Sequence, residues 1–439
     1  MNLHQTSEMV CPAGTGQEMM AFMADLYPIC RSITGDGVRR TLKRIQQEIP
    51  IEIHEVPSGT KVFDWEIPDE WNVRDAYIKN AEGERVIDFH QSNLHVLNYS
   101  IPFRGRVGLT QLKEHIFTLP EHPDWIPYRT SYYKRQWGFC MSLRQYMELN
   151  EDEEYEVCID ATLAPGSLTY GELYLPGEET DEVLLSCHVC HPSLCNDNLS
   201  GIALTTFLAR HISRWRRRYT YRFLFIPGTI GSITWLALNC ENAARVKHGL
   251  VVACVGDRGR LTYKKSRQGN AEIDRAVQHV LKHSGSEYEI LDFVPYGYDE
   301  RQYGSPGFNL PVGSLTRTPH GRYPEYHTSA DNLEFVSSES LADSLDKYER
   351  VLDVLENNRR YRNLNPYCEP QLGKRGLYGP VGGQVDRRSR EMSLLWVLNL
   401  SDGQNSLLDI AERANLDFGH IRQAAKELME CGLLEECAE

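Results

Sequence analysis

No stretch of this chain is apolar for the roughly 20 residues that a membrane-spanning helix needs, so a transmembrane helix is excluded. The first residues, Met1 to Gly16, lack both a basic start and an apolar core, and no secretory leader is expected. Positive charge is scarce: 47 Lys and Arg against 61 Asp and Glu leave a net charge of -14. Such a surface repels phosphate backbones, so nucleic acid is not an expected partner. The basic run Arg214, Arg216, Arg217 and Arg218 follows a helical pattern and reads as a solvated helix end. Several catalytic motifs are missing. There is no Gly-x-Ser-x-Gly elbow, and Gly304-Ser305-Pro306-Gly307 has the wrong spacing. There is no Gly-Lys-Ser/Thr phosphate loop, and Gly228 and Gly231 do not form a dinucleotide fingerprint. Internal repeats and low-complexity tracts are absent. Cysteine is plentiful at twelve, but without export these read as reduced thiols of a cytoplasmic protein.

What is present is ordinary globular composition. The 439 residues, 41% hydrophobic and 25% charged, suffice for two or three domains of about 100–200 residues. Apolar spacing predicts a helix over 17–31, a break at Thr34-Gly35-Asp36-Gly37 and a second helix from Val38 to Ile49. Ile51 to Val56 alternates like a strand. From Phe63 to Ile159 the chain is rich in Trp, Tyr, Pro and His, with short β-like runs, and reads as a mostly β module. Beyond it, the apolar runs Val183–Leu185, Tyr221–Ile226 and Leu250–Val255 alternate with helical patterns at 201–212, 232–244 and 271–283. That alternation predicts a mainly parallel sheet covered by helices on both faces. A helix over 339–357 closes the region, 363–386 reads as a linker, and 392–434 carries three helical patterns.

Ligands of open α/β sheets sit beyond the carboxyl ends of the strands. The residues just past the apolar runs are therefore the candidates: His188, Asp257, and Asp197 within Asn196-Asp197-Asn198, joined by His327. Two imidazoles and two carboxylates form a suitable zinc ligand set, and Asp197 is the best candidate to bridge two ions. A rival reading is a closed Cys/His site from Cys187, His188, Cys190, His191 and Cys195. Such sites draw on two separated ligand pairs, and no second Cys-x-x-Cys exists.

Longer runs carry a resemblance. They are Tyr27-Pro28-Ile29-Cys30-Arg31-Ser32-Ile33-Thr34-Gly35, Pro68-Asp69-Glu70-Trp71-Asn72 and Ile126-Pro127-Tyr128-Arg129-Thr130-Ser131. To these add Cys190-His191-Pro192-Ser193-Leu194, Asp299-Glu300-Arg301-Gln302 and Pro324-Glu325-Tyr326-His327-Thr328-Ser329-Ala330-Asp331. Together they resemble the bacterial aminopeptidase-like family once known only as a domain of unknown function, a distant relative of the co-catalytic zinc aminopeptidases. The resemblance implies an α/β domain at 1–60 and 160–360, a small β domain inserted at 61–159, a linker at 361–384 and a winged-helix-like domain at 385–439.

It also implies one or two zinc ions, with His188 and Asp257 on one, His327 on the other and Asp197 bridging. In the family a Pro-Glu-Thr-Ile-Gly-Ser run carries a glutamate that this chain replaces with Gly228. Glu300 and Glu325 are the candidates to take over proton transfer. Arg129, Arg301 and Tyr326 are the candidates to hold the substrate. The activity implied is hydrolysis of an amide bond in a small aminoacyl or peptidyl compound, with a biosynthetic pathway as the expected setting. The alternatives are altered chemistry in the same metal pocket, such as acyl transfer, or a non-catalytic scaffold. The C-terminal domain is acidic, which favours a protein partner or a second subunit over DNA.

Overall fold

The computed structural model describes residues 14–377 and 385–437, with side chains from 389 onward in the second stretch. The stretch read for a leader, up to residue 13, and positions 378–384 of the expected linker lie outside them. The chain divides into two compact units, 11–269 with 289–345, and 270–288 with 346–439.

The larger unit is built on a sheet whose central strands are largely apolar because both of their faces are covered. Two of them, β3 (Glu182–His188) and β4 (Thr220–Ile226), are buried at every residue. The others are β1 (Glu52–Pro57), β2 (Ser167–Leu175), β5 (Val246–Val252), β6 (Leu261–Lys264), β7 (Tyr288–Leu291) and β8 (Val312–Thr316). They form one sheet in the order β1-β2-β4-β3-β5-β8-β6-β7. The central four are parallel. The pairs β1/β2, β2/β4 and β8/β6 are antiparallel, so the sheet is parallel in its middle and mixed at its flanks. The parallel register sets His188 beside Ile226 and Ser186 beside Val251, which lines up three carboxyl ends. Charge inside this sheet is paired: Arg222 donates to both Glu182 oxygens at 2.7 and 2.9 Å.

Helices cover the sheet. The first two are α1 (Thr15–Leu26) and α2 (Asp36–Gln46), and α2 lies on β2. Gly35 separates them at φ 98°, and any side chain there would meet the Trp71 carbonyl. Helix α3 (Gly201–Ile212) packs on β3 and β5. The expected single helix over 232–244 is shorter, α4 (Ile230–Leu238), with a separate turn after Asn239. Beyond α3 the basic run is engaged. Arg217 donates to carbonyls of Ile212 and Ser213, capping the helix. Arg218 is buried against Glu179 at 2.8 Å.

The insertion is a four-stranded antiparallel sheet: Arg85–Asp88, Glu70–Lys79, Glu154–Ala164 and Phe103–Gly108. Its last paired strand runs to Ala164, a few residues past the expected boundary. Trp71 donates its indole N–H to the Ser100 carbonyl at 2.8 Å. Trp71, Ile78 and Ile159 belong to the same apolar cluster as Leu184, Leu224 and Val251, so the two sheets share one core.

In the smaller unit, Arg360–Asn363 pairs with Asp402–Ser406 and Leu434–Glu436, beside helices Val385–Leu400, Leu407–Ala414 and Phe418–Glu430. The first of these strands falls at the start of the expected linker. The helix Glu272–Lys282, expected with the α/β part, belongs here: Arg275 pairs with Asp409 and Glu412, and His279 accepts from the Phe418 N–H.

Candidate metal centre

The carboxyl end of β3 turns outward at His188, its last residue. Three residues on, His191 sits in a turn held from beneath by Arg31. That guanidinium is buried and donates to the carbonyls of His191 (2.6 Å), Pro192 (2.8 Å) and Leu26 (2.8 Å). The chain then enters Cys195–Ser200, where Asp197 leaves helical geometry. Asp331 fixes this segment by accepting from the backbone N–H of Asn196 (2.6 Å) and Asp197 (2.9 Å). The Asn198 amide ties the ends of β3 and β5 together through the His188 and Val252 carbonyls.

His327 arrives from a distant loop. Its φ is 57°, a left-handed conformation that costs a non-glycine residue about 1 kcal/mol or more. The loop is clamped there by the insertion: Tyr128 N–H donates to the His327 carbonyl at 2.7 Å, and Ser329 N–H to that of Ile126 at 2.8 Å.

These elements aim three rings at one carboxylate. His188 Nε2 lies 2.8 Å from Asp197 Oδ1. His327 Nε2 lies 3.0 Å from Oδ2, and His191 Nε2 3.8 Å from the same oxygen. Asp197 and His188 are 0% and 3% exposed, whereas His191 and His327 are 17% and 33% exposed, so the cluster opens on the side of the latter two. Tyr326 stacks on His327 at 3.9 Å between ring centres, and Tyr298 on His188 at 5.4 Å. Burial opposes the charge on Asp197, but His191, His188 and His327 outweigh it and hold the carboxyl well below its usual range. Burial, only partly offset by Asp197, drives His191 well below the usual imidazole value, so that ring is neutral at pH 7. A neutral His191 ring and an ionised Asp197 are protonation states suited to holding a cation. His188, His191 and Asp197 form a donor set that fits one zinc-class ion, and His327 stands beside it on the second oxygen of Asp197.

Asp257, expected as a fourth ligand, is not brought to this cluster. Its oxygens accept from Thr318 Oγ1 (2.6 Å), Gly259 N (2.7 Å), Asn196 Nδ2 (3.0 Å) and Thr318 N (3.1 Å), so it anchors the loop that carries Asp197. The closed Cys/His site is not assembled either. Among the described residues, the sole metal-competent grouping of three is His188, His191 and Asp197. Cys187, Cys190 and Cys195 are buried thiols raised by burial, Cys190 to about 12, which keeps them protonated.

Of the other expected residues, Glu300 is fully buried and ion-paired with Lys264. Glu325 is half-buried and Arg129 exposed. The Arg301 guanidinium lies 6.0 Å from the Tyr296 ring centre. A residue that the sequence did not single out stands nearer. Asp299 Oδ2 is 3.6 Å from the point where a side chain at Gly228 would begin, and that same point is 3.2 Å from His188 Cβ. Asp299 is buried, accepts from Ser232 Oγ at 2.9 Å, and is raised by burial to about 6. The signal that could have found Asp299 and His191 was present, since both lie inside the runs that carry the resemblance.

A mixed sheet with a three-histidine, one-aspartate cluster at its carboxyl edge defines an aminopeptidase-like α/β protein followed by a winged helix. Residues 20–358 match the family described as domain of unknown function DUF4910, and the chain belongs to that family; 359–436 match a winged helix-turn-helix family. A Clostridium acetobutylicum protein, named for polysaccharide biosynthesis with an aminopeptidase-like domain, is 54% identical over 421 residues, 96% of each chain. A crystallised Clostridium acetobutylicum chain, described as a candidate peptidase, superposes with TM-score 0.92 at 52% identity over 96% of this chain and 97% of its own. A zinc aminopeptidase from Bacillus subtilis shares the fold, with TM-score 0.56 at 12% identity over 77% of this chain and 94% of its own.

Proposed function

We propose that this protein is a zinc-dependent hydrolase of amide bonds in small aminoacyl or peptidyl compounds, serving a biosynthetic pathway. The observation that carries the reading is the convergence of three imidazoles on one buried carboxylate at the open edge of the sheet. A zinc ion held there supplies Lewis-acid polarisation of the amide carbonyl. His188, His191, Asp197 and His327 hold it, and the donors support a single position. Asp299, in place of Glu300 or Glu325, takes the proton from the attacking water and returns it to the leaving nitrogen. Its value of about 6 suits that exchange near neutrality. Tyr326 forms the wall of the open side, while Arg129 and Arg301 are left to contact a longer substrate at the periphery.

The name of the Clostridium acetobutylicum relative supports a biosynthetic role. A cytoplasmic site of action is supported by eleven free cysteines among the described residues. Among those residues no helix is long and apolar enough to cross a membrane. We assign the smaller unit to contact with a protein partner or second subunit. Several of its acids are already paired, Glu427 with Arg390 and Glu412 with Arg275.

The test is hydrolysis of an aminoacyl p-nitroanilide by the full chain. Activity is expected to vanish on chelation and return with zinc. A rate indifferent to both treatments contradicts the proposal.

A further inference from the structure

Arg301 is a cation without a counter-ion. The residue is half-buried, and its Nε is fully buried with no hydrogen-bond partner among the described residues. The two terminal nitrogens are not sealed in that way, and the guanidinium pairs with no carboxylate among the described residues. Its acidic neighbours in the chain are committed elsewhere. Asp299 accepts from Ser232 Oγ at 2.9 Å, and Glu300 is paired with Lys264. Other inward arginines of the larger unit do have acceptors. Arg31 holds three carbonyls, Arg218 pairs with Glu179, Arg222 with Glu182, and Arg317 donates to Asp343 at 2.8 Å. Drawing a guanidinium partly out of water with no partner is unfavourable, so this point of the surface favours an incoming anion.

The position is beside the candidate reaction centre. Two residues of chain span at most about 7 Å, so the Arg301 backbone stays within that distance of Asp299. The positive charge is felt at Asp299, where it favours the ionised form. A row of rings joins the two places. The guanidinium lies 6.0 Å from the Tyr296 ring centre, and Tyr296 lies 5.6 Å from His320. His320 lies 4.9 Å from Tyr298, which stacks on His188. Tyr296 is 71% exposed, so the outer end of the row is open to a ligand.

One uncompensated positive charge matches one monoanion. The planar guanidinium pairs with a carboxylate through two parallel N–H···O bonds. A phosphate group carries more charge and draws on several cations. Lys264 and Arg322, which share a cavity wall with Tyr296, are already spent on Glu300 and Glu289.

We propose that the amide substrate bears a carboxylate and that Arg301 grips it, which makes Arg301 the residue that selects acidic over neutral substrates. What is cleaved rests on the hydrolase reading; carboxylate binding does not.

The test is an NMR titration of the full chain stripped of metal by a chelator. The probe is the dipeptide Asp-Gly, and its neutral isostere Asn-Gly-amide is the contrast. Asp-Gly is expected to bind at least about tenfold more tightly, the measure of a charge-assisted pair. Arg301→Gln should erase that preference, and Arg301→Lys, which keeps the charge but not the fork, should retain part of it. The guanidinium has no protein partner to lose, so neither variant should lower the melting temperature. Arg301→Met, which keeps the apolar stem, replaces the glutamine variant if that one does not fold. Equal binding of the two dipeptides, no binding of Asp-Gly, or a preference that survives loss of the charge overturns the proposal. So does inorganic phosphate binding more tightly than Asp-Gly. Amide hydrolysis without a carboxylate preference removes this proposal alone, whereas carboxylate binding without hydrolysis leaves it standing and removes the zinc reading.

Discussion

One residue apart, Asp299 and Glu300 face different surroundings. The short helix Glu300–Tyr303 starts between them, which leaves Asp299 beside Gly228 and Ser232 and turns Glu300 toward Lys264. Sequence reasoning offered Glu300 and Glu325 for proton transfer because both lie in segments expected near the pocket, and a linear pattern does not tell which of two adjacent carboxylates looks into it. The same limit applied to Asp257. Its position past a strand resembles that of a ligand, but four donors close around it, and those donors come from Asn196, Gly259 and Thr318. Asp299→Asn removes the proton acceptor while keeping the hydrogen-bond geometry to Ser232. The expected outcome is a fall in kcat of about 10²–10⁴-fold with zinc content unchanged. An unaltered kcat would show that another group carries the proton.

Among the elements, the buried central strands were legible because a strand covered on both faces is largely apolar, and β3, β4 and β5 carry the runs Val183–Leu185, Phe223–Ile226 and Leu250–Val252. The flanking antiparallel strands were less visible, since edge positions tolerate residues such as Glu52, His54 and Lys264. The turn after β3 was legible as a motif but not as geometry. Its shape depends on Arg31, some 160 positions earlier, whose three carbonyl partners include His191. Burial lowers that guanidinium to about 10, still charged at pH 7. Arg31→Met should therefore destabilise the protein by about 2–4 kcal/mol, seen as a lower melting temperature. It should also weaken zinc binding about 10–100-fold, as losses behind a ligand do. Unchanged zinc affinity in a folded variant would mean that the turn holds its shape without this clamp.

At the scale of the whole molecule, the order of opening helices, mostly β stretch and alternating α/β part follows from composition and periodicity along the chain, and the winged helix from the resemblance alone. The grouping of 270–288 with the C-terminal residues does not, because nothing local marks the helix Glu272–Lys282 as a partner of Leu407–Ala414. The family match over 20–358 spans both the insertion and the α/β part, in keeping with their shared core. That core exists to hold a loop from each side of one sheet edge against the other, with the insertion clamping His327 and the sheet carrying His188. The most direct measurement is anomalous diffraction at the zinc edge from crystals of chain purified without chelator. One peak bonded to His188, His191, Asp197 and His327 is predicted. No peak, or one held by the cysteines or by Asp257, would contradict the account.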